Sequence, residues 1–140
     1  MSLFAVVLGL ATATAQGASR CGNPTVDEVR QLSAAARLEI TSCFQRVTAD
    51  QINALQAGRN DPHMTMKADV EGATLRYNYR LALDAKQIPE ARRAAILSML
   101  KGDLCADGQA KIVMSNGGSY RYIFKDRSGQ IIRDVVIDHC

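Results

Sequence analysis

The chain has 140 residues, a length that fits one domain. Its formal net charge of +3 is modest, no long Lys/Arg run is present, and 5% aromatic residues with no Trp supply poor stacking platforms for bases. Composition and charge therefore point away from nucleic acid as a partner.

The first element is apolar. Leu3–Leu10 reads LFAVVLGL and is followed by ATATAQGA, in which Ala13-Thr14-Ala15 forms an A-x-A site. An apolar run closed by small residues is the pattern of a secretory leader. No Lys or Arg precedes the run, which departs from the usual n-region. The run is also shorter than the roughly 20 apolar residues of a membrane span. The expected organisation is a leader over residues 1–15 and a single α+β domain over residues 16–140. A lipid attachment at Cys21 does not fit, because Ser19-Arg20 precedes it where small residues are needed.

All four cysteines, Cys21, Cys43, Cys105 and Cys140, lie beyond the leader. An even count in a small exported chain predicts disulfides and a periplasmic or secreted location. Four cysteines allow three connectivities, and composition does not choose among them.

Thr25 and Glu28 form a capping-box signature, so a helix is expected from Val26 to about Leu38. Thr48 and Gln51 repeat the signature and predict a second helix over ADQINALQ. LEITSCFQRV between them fits either a helix extension or a short strand. AGRNDPH, Ala57–His63, breaks the pattern with Gly58, Asn60 and Pro62.

The period then changes to two. Ala73, Leu75, Tyr77, Tyr79, Leu81 and Leu83 share one face, and Thr74, Arg76, Asn78 and Arg80 share the other. MTMKADV alternates before it, with a hairpin turn at Glu71-Gly72. Pro89 opens a helix over PEARRAAILSMLKGDLC, with Ala94, Leu97, Leu100 and Leu104 facing the sheet and Arg92, Arg93 and Lys101 pointing away. DGQAKIVMSNGG is a short helical turn or loop. Tyr120, Tyr122 and Phe124 then alternate towards a turn at Asp126–Gly129, and Ile131, Val135 and Ile137 return. The expected fold is α+β: a four-stranded antiparallel sheet made of two hairpins, helices on one face, and two disulfides. In that architecture Cys105 ends a helix and Cys140 ends the last strand, so these two form a natural pair. Cys21 and Cys43 bracket the first helix and pair separately.

His63, Met64 and Met66 offer imidazole and thioether, ligands suited to Cu(I) in an exported protein. The competing reading is that the methionines fill the core. Arg76, Arg80 and Arg121 fall on the sheet face opposite the apolar one, where they would form a positive binding face for an acidic partner or anion. No catalytic residues stand out. His139 and Cys140 are adjacent only in sequence, and Asp134 and Asp138 lack any sign of a cleft. G-x-S-x-G, a phosphate loop and H-E-x-x-H are all missing.

LKGDLCADGQAKIVMSNGGSYRYIFKDRSGQIIRDVVIDHC joins a helix ending at Cys105 to a strand with Gly118, Tyr120 and Tyr122. An Asp126–Gly129 turn and a final strand ending at Cys140 complete it. This stretch resembles small exported bacterial proteins of largely unknown function, which border on candidate quorum-sensing-regulated virulence factors. In general plan it also resembles the pilotins that escort secretion-channel subunits. The resemblance implies no catalytic residues and no cofactor. The functional expectation is a non-enzymatic periplasmic or secreted interaction module, an accessory or inhibitor of an envelope or secretion system with a protein partner in the envelope. The alternatives are a soluble copper binder and a small hydrolase with an unrecognised site.

Overall fold

The structure, a computed structural model, describes residues 21–140. The expected leader at 1–15 lies outside the described residues. The element order is α1 (Val26–Gln31), α2 (Ala34–Ala57), β1 (Met64–Glu71), β2 (Thr74–Leu81), a short 3₁₀ turn (Ala85–Gln87), α3 (Glu90–Ala106), α4 (Gly108–Ser115), β3 (Ser119–Lys125) and β4 (Ile131–Ile137).

The capping box at Thr25 forms as expected. The Glu28 N–H donates to the Thr25 hydroxyl at 3.2 Å, and the Thr25 N–H donates to the Glu28 carboxylate at 2.6 Å. The first helix stops at Gln31, however, short of the expected Leu38. Leu32 is extended, and the Ser33 hydroxyl accepts the Ala36 N–H at 3.2 Å, so a local cap starts a new helix there. That helix, α2, runs unbroken for 24 residues through the ambiguous LEITSCFQRV. Thr48 does not cap anything. Its hydroxyl donates to the Phe44 carbonyl at 2.9 Å, inside the helix.

The sheet has the order β1-β2-β3-β4. The two hairpins form as read, with β1 antiparallel to β2 and β3 antiparallel to β4. The join between them corrects the expectation of a wholly antiparallel sheet: β2 and β3 run parallel, from Thr74 beside Ser119 to Arg80 beside Lys125. A parallel neighbour needs a crossover long enough to return the chain to the starting edge, and α3 with α4 supplies it. Gly72 sits at the first central position of the β1–β2 turn with φ +62°, a conformation that suits glycine in a two-residue hairpin.

One face of the sheet carries all the larger helices. Leu75, Tyr77, Tyr120, Tyr122, Phe124, Val135 and Ile137 pack with Ala49 and Ile52 of α2, Leu104 of α3, and Ala110 and Met114 of α4 in a single cluster. Within α3 the inward stripe is Ile96, Leu100 and Leu104, while Leu97 and Met99 stay exposed. Arg93 does not point away. It is half-buried and donates to the Ala85 carbonyl at 2.9 Å and the Ile88 carbonyl at 3.1 Å.

Cys21 is bonded to Cys43 and Cys105 to Cys140, each pair with Cα atoms 5.7 Å apart. The second bridge ties the end of α3 to the residue run after β4. The turn between β3 and β4 is clasped to the β2–α3 connection at the other end of the sheet. The Asp126 carboxylate accepts N–H bonds from Ala85, Ser128 and Gln130, and Arg127 forms a two-point ion pair with Asp84 at 2.8 and 2.7 Å.

Candidate functional site

An aromatic floor lies beneath the helices. Because β2 and β3 pair in parallel register, Tyr77 lies beside Tyr122 and Tyr79 beside Phe124. The rings stack face to face, with centroids 4.8 Å apart in both pairs and planes within 9°. Tyr120 continues the row. Tyr77, Tyr120 and Tyr122 are only 7%, 7% and 5% exposed. Buried tyrosines ordinarily place the hydroxyl on a partner. Here, among the described residues, the buried side-chain atoms left without a hydrogen-bond partner are Arg37 Nε and Arg133 Nε; the tyrosine oxygens are not among them, so their hydroxyls still reach solvent at the edge of the floor.

Burial pushes the Tyr79 phenol up to about 12. It pushes Tyr77, Tyr120 and Tyr122 up as well, with the charge of Asp107 adding a smaller effect in all three and that of Asp103 at Tyr122. The phenols are therefore neutral over the physiological range, able to donate and to accept. The two carboxylates stand where α3 passes into α4. Asp107 caps α4, one carboxylate oxygen accepting from Gln109 N–H at 2.8 Å and from Ala110 N–H at 3.5 Å. Asp103 is exposed. Among the described residues neither takes part in an ion pair.

The arginine row lies on the opposite face of the sheet. Arg76 stands beside Arg121 in register. Arg76 is held by Asp69 and Glu71, and Arg121 by a two-point pair with Asp134 at 2.9 and 2.7 Å. That hydrogen-bonded pairing raises Arg121 above its ordinary value and holds the Asp134 carboxyl below its own. The positive surface left over is Arg80, exposed and next to Lys125.

Met64 and Met66 fall on the inward face of β1, Met66 at 7% exposure within the core cluster and Met64 half-buried. His63 is exposed, and its backbone N–H donates to Asp61 at 2.8 Å. Among the described residues no group of three or more His, Cys, Asp or Glu is placed to hold a metal ion. At the carboxyl end, a shallow groove of about 220 Å³ is lined by Lys111, Met114, Ser115, Asp138, His139 and Cys140. The His139 ring bonds Asp138 beside it, and Cys140 is spent in its disulfide.

The alternation of Tyr77, Tyr79, Tyr120 and Tyr122 in the sequence marks them as core. What it leaves out is that their hydroxyls reach solvent at the edge of the floor, because that depends on where α2, α3 and α4 come to rest above them.

No family model matches the chain, and no curated protein matches it. Solved structures do. The type II secretion pilotin AspS from Vibrio cholerae shares 17% identity and superposes with a TM-score of 0.55 over 74% of this chain and 93% of its own. The type 2 secretion pilotin EpsS from Vibrio vulnificus shares 15% identity with a TM-score of 0.54, over 74% and 92%. A candidate secreted protein from Pseudomonas aeruginosa shares 15% identity with a TM-score of 0.60, over 73% and 92%. At these identities the likeness is one of fold.

Proposed function

We propose that this chain is a non-enzymatic accessory of a secretion system that works in the periplasm, or outside the cell, by binding a protein partner. The observation that carries the reading is the fold shared with two type II secretion pilotins over nearly their whole length. Two disulfides support an oxidising compartment. A leader removed near Gln16 would deliver the chain there. Among the described residues no helix is long and apolar enough to cross a membrane.

A deletion strain tests the reading directly. Loss of the protein should lower secretion through one envelope system, or mislocalise one of its subunits, and the wild-type chain supplied in trans should restore it. Affinity capture of the oxidised protein from intact periplasm should recover that same subunit. Normal secretion and normal subunit placement in the deletion strain would sink the proposal.

A further inference from the structure

We propose that the free edge of β4 takes up an extended segment of a partner protein as a fifth strand of the sheet, with an acidic residue of that segment facing Arg133 and an apolar residue beside Val136. This rests on the reading of the chain as a protein-binding module and names how its partner is held.

The sheet has two edges, β1 and β4, and the chain treats them differently. On β1 the Asn53 side chain takes up the carbonyl and the N–H of Ala68, at 2.7 and 2.8 Å. On β4 the direction of each backbone group follows from the ladder. The Ser119 N–H donates to the Ala73 carbonyl, on the β2 side. Along β3 the backbone groups of Tyr120, Tyr122 and Phe124 therefore turn the other way, to β4. Ile137, Val135 and Arg133, which stand opposite them in register, turn inwards to meet them. Asp134 and Val136 alternate with these, so their N–H and C=O groups point out of the sheet. Among the described residues no hydrogen bond reaches those groups. Edges are ordinarily blunted by Pro, Lys or a bulge. IIRDVVI contains neither Pro nor Lys, and the register shift falls between Phe124 and Lys125, which leaves the stretch 133–137 regular.

Two side chains on this strand say what the added segment carries. Arg133 stands opposite Phe124 in register, which puts it on the helix-covered face. It is half-buried, its Nε is shielded from solvent without a partner, and it takes part in no ion pair among the described residues. A shielded donor without an acceptor is costly, and a carboxylate on an adjoining strand brings a charged acceptor to the guanidinium. Val136 lies on the other face, opposite Arg121, and is 57% exposed. An acidic and an apolar residue on alternate faces is a pattern that an extended segment presents. A second copy of this chain fits less well. Antiparallel self-pairing of β4 in full overlap sets Asp134 against its own copy, and the register centred one residue earlier sets Arg133 against its own copy. Like charges directly opposite destabilise a strand pair.

The test uses the intact, oxidised chain and a blocked hexapeptide probe, acetyl-Thr-Val-Glu-Val-Thr-Val-amide, followed by NMR of the backbone amides. In the free chain the N–H groups of Asp134 and Val136 should exchange with solvent far faster than those of Val135 and Ile137. The probe should slow exchange at Asp134 and Val136 and shift the Arg133 side chain. The same probe with Lys in place of Glu should bind about tenfold more weakly, and Arg133→Gln should erase that preference. N-methylating one set of alternate residues in the probe should abolish binding, and N-methylating the other set should leave it. Val136→Pro removes an outward donor and no ladder bond, so it should keep the fold and lose the probe; if proline unfolds the strand, the N-methylated probes decide alone. Asp134 and Val136 amides already protected in the free chain, no binding at millimolar probe, or equal binding of both N-methylated probes would each overturn the proposal. So would a concentration-dependent dimer that protects the same amides, which gives the edge to a second copy. The outcome is separable from the proposed function: an edge that binds the probe, in a protein whose deletion leaves secretion normal, retires the secretion role alone, and lost secretion with an edge that binds nothing retires the edge alone.

Discussion

Gly118 is a residue whose role is set by space. A Cβ there would lie 2.5 Å from the Val113 Cγ1, 2.8 Å from the Thr41 Cγ2 and 3.0 Å from the Val113 carbonyl oxygen. This is the point where α4 ends against α2 and the chain enters β3. Gly118→Ala should destabilise the protein by about 1–3 kcal/mol through overpacking, read as a shift in the denaturation midpoint. A neutral result would mean that α2 and α4 can separate freely. Asp126 illustrates charge instead. Its carboxyl is held down to about 2, first by the Ser128 hydroxyl and then by the N–H groups of Ala85, Gln130 and Ser128, against an ordinary value of 3.8. A depressed folded value means the unfolded chain takes up the proton first. The stabilisation is therefore complete above about pH 4 and is lost as pH falls from there through about 2. Melting temperature measured across pH 2–5 should fall more steeply in the parent than in Asp126→Asn, which lacks the titration. Identical slopes would remove Asp126 from the account.

At the scale of elements, two devices hold edges and ends. Asn53 of α2 pairs with both backbone groups of Ala68, its amide donating to the carbonyl at 2.7 Å and accepting the N–H at 2.8 Å. It thereby covers the middle of an edge strand that would otherwise present open groups. The Cys105–Cys140 bridge fastens α3 to the end of β4 and spans 35 residues. Cys140→Ser should expose one alkylatable thiol, at Cys105, and lower stability by about 2–5 kcal/mol. Hydrogen exchange should place the loss in β4 and the last turn of α3, with Cys21–Cys43 still oxidised. Protection lost evenly through α1 and α2 would contradict the placement of this bridge as a local tie.

At the scale of the whole molecule, the apolar contacts form one cluster drawing on the sheet and on α2, α3 and α4. Nothing divides that cluster into halves, although the chain builds it from two hairpins far apart in sequence. Unfolding should accordingly be one cooperative event. Far-ultraviolet circular dichroism, which follows the helices, and tyrosine absorbance, which follows the buried rings, should give one midpoint on heating. Two separated midpoints would show that α2 with β1 and β2 forms a unit that survives without the rest.

The four strands, the two hairpins and the capped start at Thr25 follow from local patterns, whereas the two cysteine pairs follow only once those elements are assembled into an architecture. Period-two alternation, turn glycines and a capping box act over a few residues and need no knowledge of the rest of the chain. The inward tyrosines were legible for the same reason. The parallel pairing of β2 with β3 was not, because an alternating strand reads the same whichever direction its neighbour runs, and the choice belongs to the crossover. The break at Ser33 and the continuity through Thr48 were not legible either, because a short hydroxyl side chain can cap a helix start, as Ser33 does, or bond back to the carbonyl four residues earlier within a helix, as Thr48 does. Arg93 reads as a solvent residue until the 3₁₀ turn brings the carbonyls of Ala85 and Ile88 within its reach. Both the neutralised arginines on one face and the stacked phenols on the other depend on which groups meet across distant segments. Only tertiary structure sets that, since hydrogen bonds and charges act over a few ångströms of space and are indifferent to separation along the chain.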